Sequence, residues 1–70
     1  MDLATAVLEV LVESGTNGMM PLDRLHHKII WDKGITCMYE VTALRRWLAR
    51  EGFTMRTYGP TNAEIVVELK

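Results

Sequence analysis

The spacing of apolar residues changes near Gly52, and this change constrains the fold more than any other feature of the sequence. Before Gly52, apolar side chains recur at the spacing of amphipathic helices. In residues 53–58 and 64–69 they occupy alternate positions instead, as they do in half-buried strands. The turn formers of residues 59–62 separate these two segments. The sequence therefore predicts an α+β fold in which helices precede a β-hairpin covering about residues 53–69.

Three helices are expected before this hairpin, over residues 2–14, 21–32 and 37–51. Asp2 is well placed to cap the first helix. Pro21 is expected as the first residue of the second helix, where its missing N–H is not needed, and Gly34 is a candidate C-cap for that helix. Between these two helices, residues 19–20 form an apolar link that predicts a very short strand.

The third helix is predicted to have two distinct faces. At about 100° of rotation per residue, four apolar side chains share the face that should point into the core. These side chains are Cys37, Val41, Leu44 and Leu48. The opposite face gathers Tyr39, Thr42, Ala43, Arg46 and Arg50. Both tryptophans, Trp31 and Trp47, are predicted to lie in the core or at its edge.

The length of the chain, 70 residues, allows one domain (1–70) with a small core and a thin margin of stability. Cys37 is the only cysteine, so an internal disulfide cannot add to that margin. The first helix carries a second apolar strip, Ala4, Leu8 and Val12, that a core of this size has difficulty covering. The sequence therefore predicts a homodimer formed through this strip.

The charges of the chain are distributed unevenly along it. Residues 1–23 carry four acidic side chains and no Lys or Arg, whereas residues 24–58 carry seven Lys or Arg and three acidic side chains. The net charge of −1 therefore hides an acidic first helix and a basic middle segment. Such a basic segment is compatible with a nucleic-acid partner.

The composition is typical of a soluble intracellular protein. Hydrophobic residues make up 49% of the chain and charged residues 24%, and no apolar run approaches the roughly 18 to 20 residues that a membrane span needs. The single cysteine suits a reducing compartment. We therefore expect a cytoplasmic protein with no membrane partner.

Neither catalysis nor metal binding is indicated. The sequence contains no phosphate-binding loop, catalytic triad pattern or paired carboxylates, so we do not expect an enzyme. His26 and His27 diverge by about 100° on a helix, whereas metal-binding helices use histidines four residues apart. One packed and one exposed histidine is the simpler expectation. Cys37, predicted on the core face, should behave as a small hydrophobic side chain, and no cofactor is expected.

The segment VTALRRWLAREGF, residues 41–53, resembles the end of a recognition helix running into the wing of a winged helix-turn-helix domain. Val41, Leu44, Leu48, Gly52 and Phe53 fill the apolar and glycine positions that recur in that family. The predicted order of three helices followed by a hairpin agrees with the resemblance. The connection between helices two and three is longer here than the three or four residues of compact helix-turn-helix proteins.

The resemblance implies that helix three of this chain enters the major groove of double-stranded DNA. The side chains expected to reach base edges are Tyr39, Thr42, Ala43 and Arg46. Those expected to contact the DNA backbone are Lys28, Arg45, Arg50, Arg56, Tyr58 and Asn62. The resulting hypothesis is a small transcriptional regulator that recognises a DNA sequence.

Two alternatives remain open at this stage. The near-neutral charge and the acidic first helix also fit a winged helix that serves as a protein-interaction module or inhibitor and binds no nucleic acid. Stacking of bases on Tyr39 and Tyr58 would instead suit RNA or single-stranded DNA.

Overall fold

A computed structural model of the chain describes residues 2–60 and 64–69, and within these ranges it contains three α-helices and three β-strands. The elements are α1 (Leu3–Ser14), β1 (Met19–Pro21), α2 (Leu22–Trp31), α3 (Val41–Arg50), β2 (Thr54–Tyr58) and β3 (Glu64–Glu68). The strands form an antiparallel sheet in the order β1-β3-β2, with β3 in the centre. The predicted α+β class, the hairpin and the short strand after the first helix are confirmed.

Helix α1 begins as predicted. Asp2 has an extended backbone, and its side chain accepts a hydrogen bond of 2.8 Å from the Thr5 N–H. This bond satisfies one of the N–H groups that the first helical turn cannot pair internally. Hydrogen bonding from Thr5 also holds the pKa of Asp2 below its ordinary value of 3.8.

Replacing Asp2 by alanine should lower the melting temperature by a few degrees near neutral pH, because Thr5 loses its acceptor. Asp2→Asn should retain most of the cap. Because the pKa of Asp2 is lowered on folding, its negative charge stabilises the folded state above about pH 3.8. This stabilisation is lost as the pH falls through the lowered pKa. Thermal unfolding of the native chain and the two variants, near neutral pH and well below pH 3.8, measures the contributions of the capping hydrogen bond and of the charge. Equal melting temperatures for the alanine and asparagine variants would contradict the capping role.

Strand β1 ends where α2 begins. Pro21, which we predicted as the first residue of the second helix, is instead its N-cap and the last residue of β1, opposite Val66. Proline has no N–H to donate, so it is tolerated in β1 because this strand lies at the edge of the sheet. The helix therefore leaves the sheet directly, without a loop.

One apolar cluster joins all three helices to the sheet. Its largest fully buried side chains are Leu11, Met20, Leu25, Ile29, Leu44, Leu48, Val7 and Val67. No described polar or charged residue is buried, so nothing in this core costs desolvation without a partner. Trp47 is half-buried and packs beside Phe53, with the ring centroids 6.1 Å apart, which confirms its predicted place at the edge of the core.

The third helix begins at Val41, and its predicted start at residue 37 is wrong. The chain leaves α2 through Gly34, which has a φ of +69°, and the Ile35 N–H donates to the Ile29 carbonyl oxygen. Ile35 and Met38 then pack against the core, and residues 35–40 form no regular element. Tertiary packing of these two side chains thus overrides the helical tendency of the segment. The connection between α2 and α3 spans residues 32–40, longer than in compact helix-turn-helix proteins.

The predicted positions of Cys37 and Trp31 are also wrong. Cys37 lies in this connection and is exposed, so it does not occupy the core face of a helix. Trp31 is 73% exposed, not in the core or at its edge. At 100° per residue, Trp31 lies opposite Leu22 on α2, and Leu22 belongs to the buried face.

Candidate nucleic-acid interface

The solvent-facing side of α3 carries the densest set of basic side chains in the described part of the chain. Thr42, Arg45, Arg46, Ala49 and Arg50 are all exposed, while Leu44 and Leu48 anchor the opposite side in the core. We call these five exposed residues the α3 face. Because two core leucines fix the rotation of the helix, the direction of this face is set by packing.

The arginines of the α3 face have no carboxylate partner among residues 2–60 and 64–69. Ion pairs there engage Lys28, Lys33 and Arg56, which leaves Arg24, Arg45, Arg46 and Arg50 without one. Three of these four unpaired cations therefore lie on one helix. Their charges add to a local positive field that no described acidic side chain neutralises by direct contact.

Two shallow grooves flank the centre of the α3 face. One, of about 460 Å³, is lined by Met38, Ala43, Arg46, Ala49 and Arg50. The other, of about 360 Å³, is lined by Thr42, Arg45, Arg46, Ala49 and Met55. Arg46 and Ala49 line both grooves, so they form the ridge between them. Ala49 lies one turn after Arg46 on this ridge. Its side chain is small, so Arg46 is the larger of the two exposed side chains there.

The predicted base-contacting residues are only partly brought together. Thr42 and Arg46 lie on the α3 face, and half-buried Ala43 lies at its flank. Tyr39 does not lie on the helix: it belongs to the α2–α3 connection, where it is 71% exposed. It lines a separate groove with Trp31 and Val41, so its place on the polar face of helix three was wrong.

The predicted DNA-backbone contacts are distributed over three elements. Arg45 and Arg50 lie on the α3 face. Lys28 is paired with Asp32 at 3.4 Å. The side of α2 that faces the start of α3 is marked by His26, whose Nε2 donates to the Met38 carbonyl oxygen. Lys28 lies about 200° around α2 from His26. The structure therefore does not bring Lys28 together with the α3 arginines.

The hairpin offers little free positive charge. Arg56 on β2 donates to Glu68 on β3 at 3.0 Å, and this contact raises the pKa of Arg56 above its ordinary value. Tyr58, at the end of β2, is 46% exposed. Asn62 lies outside the residues that the structure describes. A contact led by α3 therefore fits the charges better than one led by the hairpin.

The acidic first helix is partly neutralised by the α2–α3 connection. Lys33 Nζ contacts Glu9 at 3.0 Å and Glu13 at 3.3 Å. Hydrogen bonds to Glu9 and then Glu13 raise the pKa of Lys33 above 10.5, so the lysine stays charged. This bridge joins the end of α2 to α1.

The strip predicted as a dimer surface is accessible on α1. Leu8 is 42% exposed and Val12 67% exposed, while Ala4 is half-buried. The buried residues of α1 are Ala6, Val7, Val10 and Leu11, of which Ala6 and Val10 lie opposite the strip. The core therefore covers one side of this helix and leaves the predicted strip open.

Other chemistry is sparse in the described ranges. His26 is half-buried, with Nε2 donating to the Met38 carbonyl oxygen at 2.9 Å, and His27 is exposed, which confirms the prediction of one packed and one exposed histidine. No group of three His, Cys, Asp or Glu side chains there could hold a metal ion. Within the same ranges, no helix has the length and apolar character needed to cross a membrane.

Sequence reasoning missed the groove that contains Trp31 and Tyr39. A helical projection of α2 was sufficient to place Trp31 on its polar side, but the position of Tyr39 depended on where α3 begins. The chain has no match among protein-family models, curated proteins or solved structures.

Proposed function

We propose that this chain binds double-stranded DNA by inserting α3 into the major groove, and that it is a small sequence-specific transcriptional regulator. The observation that carries the proposal is the set of three unpaired arginines on the α3 face. Lys and Arg contacts to phosphates supply most of the affinity of such interfaces. An arginine near a base edge adds specificity, since it can donate two bonds to guanine.

The dimensions of α3 support this mode of binding. A helix with side chains is about 10–12 Å wide, close to the roughly 12 Å width of the major groove. Arg46 lies on the ridge of the α3 face and is assigned to a base edge. Thr42 and Ala43 carry methyl groups that suit contact with thymine. Arg45 and Arg50 are assigned to phosphates on either side.

The order of elements also supports the winged helix-turn-helix resemblance. Three helices precede the β2–β3 hairpin, and α3 runs directly into β2 through residues 51–53. The ion pair between Arg56 and Glu68 assigns the hairpin mainly a structural role. Tyr39 remains a candidate DNA contact at the start of α3, now from a loop.

We further propose that two copies associate through Ala4, Leu8 and Val12 of α1. An isologous contact places the same apolar strip on both sides of a two-fold axis. At tens of micromolar, sedimentation should show a dimer for the native chain and a monomer for Leu8→Glu/Val12→Glu. Thr57→Glu, an exposed position on β2, is the matched charge control and should remain dimeric. A monomeric native chain at these concentrations contradicts the proposal.

A protein-interaction module that binds no nucleic acid is the second candidate. The observation that favours it is the exposure of two large aromatic side chains, Trp31 at 73% and Tyr39 at 71%. Aromatic side chains of this kind are enriched at protein interfaces. This candidate predicts no binding of duplex DNA at any salt concentration.

The dependence of DNA binding on salt distinguishes these candidates. With Arg45 and Arg50 neutralising two phosphates, the affinity of one chain for a labelled duplex should fall roughly 12-fold between about 50 and 200 mM salt. Fluorescence anisotropy with a random-sequence duplex measures this slope. Absence of binding at the lowest salt favours the protein-interaction module. Tighter binding to single-stranded DNA or RNA than to the duplex also contradicts the proposal.

A further inference from the structure

An open groove of about 480 Å³ lies between α2 and the residues that lead into α3. Its aromatic walls are Trp31 and Tyr39, the two most exposed aromatic side chains in the described residues. Ile30 and Val41, both half-buried, add apolar surface. We call this feature the aromatic groove. It is distinct from the two grooves beside Arg46, which share none of its lining residues.

Contacts on both sides hold the walls of the aromatic groove in place. His27 lies beside Trp31 one turn away on α2, with the ring centroids 6.0 Å apart and the planes tilted by 42°. His26 Nε2 donates to the Met38 carbonyl oxygen at 2.9 Å, which fixes the backbone next to Tyr39. These contacts position the Trp31 ring and the backbone beside Tyr39, which reduces the ordering that binding requires.

The aromatic groove is negatively charged at one end. Asp23 carries the one formal charge among its lining side chains when both histidines are neutral. Asp23 also lines a small cleft with Glu64 of β3. Both carboxylates are exposed, and neither has an ion-pair or hydrogen-bond partner within the part of the chain that the structure describes. An unpaired carboxylate, Asp23, in the same groove as two exposed rings favours a cation as the ligand, and Glu64 adds negative charge in the cleft next to Asp23.

We propose that the aromatic groove binds an arginine side chain from a basic segment of a partner protein. The faces of Trp31 and Tyr39 attract a cation through their ring quadrupoles. A planar guanidinium stacks on such rings, and the negative charge of Asp23 in the same groove attracts it. The methylene stem of the arginine covers the apolar surface of Ile30 and Val41. The inference does not depend on DNA binding, since it uses none of the α3 arginines.

The proposal is tested with a short uncharged peptide frame that contains one arginine, and with the same peptide containing citrulline instead. Citrulline keeps the planar shape of arginine and removes its charge. Affinity is measured by fluorescence anisotropy of the labelled peptides, which also serves for variants that lack Trp31. The indole N–H resonance of Trp31 in a ¹⁵N–¹H spectrum, assigned by its absence in Trp31→Phe, shows where the peptide binds. We expect the arginine peptide to bind about tenfold more tightly than the citrulline peptide. Equal binding of the two peptides would overturn the cation site.

Variants separate this site from the α3 face. Trp31→Ala should weaken peptide binding about tenfold because it removes an aromatic wall, and Asp23→Asn/Glu64→Gln should weaken it several-fold because it removes the negative charge. All three side chains are exposed, so these variants should leave the core intact. Trp31→Phe should retain part of the affinity. Arg46→Ala/Arg50→Ala should bind the peptide as the native chain does, whether or not the chain binds DNA. Displacement of the peptide by a single-stranded oligonucleotide that shifts the Trp31 resonance would overturn the assignment to a protein segment.

Discussion

Replacing Arg46 and Arg50 together by alanine should weaken binding to duplex DNA by at least about 50-fold at low salt. Arg46 lies on the ridge of the α3 face, and Arg50 lies one turn further along it. Neither has an ion-pair partner among the described residues, so their loss leaves no carboxylate unpaired there. Fluorescence anisotropy with the same duplex measures the change.

Two further variants make this result specific. Arg24→Ala removes an exposed and unpaired arginine from α2, so its effect should be within about threefold. Arg46→Lys/Arg50→Lys preserves the charge and removes the two-pronged geometry of arginine, so it should recover non-specific binding but not sequence preference. Equal losses for Arg24→Ala and the double alanine variant would mean that general charge, not the α3 face, determines the affinity.

Substitution of Leu44 by alanine should have the largest effect on stability. Leu44 is fully buried and belongs to the cluster that joins α3 to the other helices and the sheet. Truncating a buried leucine lowers the free energy of unfolding by about 2–5 kcal/mol. The whole free energy of unfolding of a domain of this length is expected to be roughly 3.5–10 kcal/mol. The melting temperature, measured by circular dichroism, should therefore fall by about 10–30 °C, and the α3 face should lose its fixed direction.

The matched control is the same change at an exposed leucine. Leu8 is 42% exposed on α1, so Leu8→Ala should cost well under half as much stability at low micromolar protein, where the proposed dimer does not contribute. Comparable losses at positions 44 and 8 would contradict the assignment of the α3 inner face to the core.

The local features of the fold were predictable because their causes are local. The cap at Asp2 follows from a carboxylate three residues before the Thr5 N–H, and the hairpin follows from alternation on both sides of a turn. The predicted element boundaries for α1 and for the strands differ from the structure by only a residue or two.

The start of α3 could not be predicted because its cause is not local. Residues 35–40 are compatible with a helix, but Ile35 and Met38 pack onto the core, and His26 binds the Met38 carbonyl group. None of these contacts is visible as a periodicity. The error placed Cys37 and Tyr39 on a helix, whereas they lie in a loop, and it hid the aromatic groove.

The candidate site was predictable in its position but not in its electrostatics. The polar side of α3, including Arg46 and Arg50, follows from helical spacing. Pairing of charges depends on contacts between distant segments: Arg56 pairs with Glu68 and Lys33 with Glu9. These pairs concentrate the unpaired positive charge on α3 more strongly than the sequence indicates.

The position of bound DNA on this chain distinguishes insertion of α3 from any other mode of binding. A ¹⁵N–¹H spectrum recorded during titration with duplex DNA at low salt reports which backbone amides sense the ligand. If α3 enters the major groove, the largest shifts should occur in α3, at Thr42, Arg46 and Arg50, while the amides of α1 change little. Shifts confined to α1 or to the hairpin, or no shifts at all, would rule out insertion of α3.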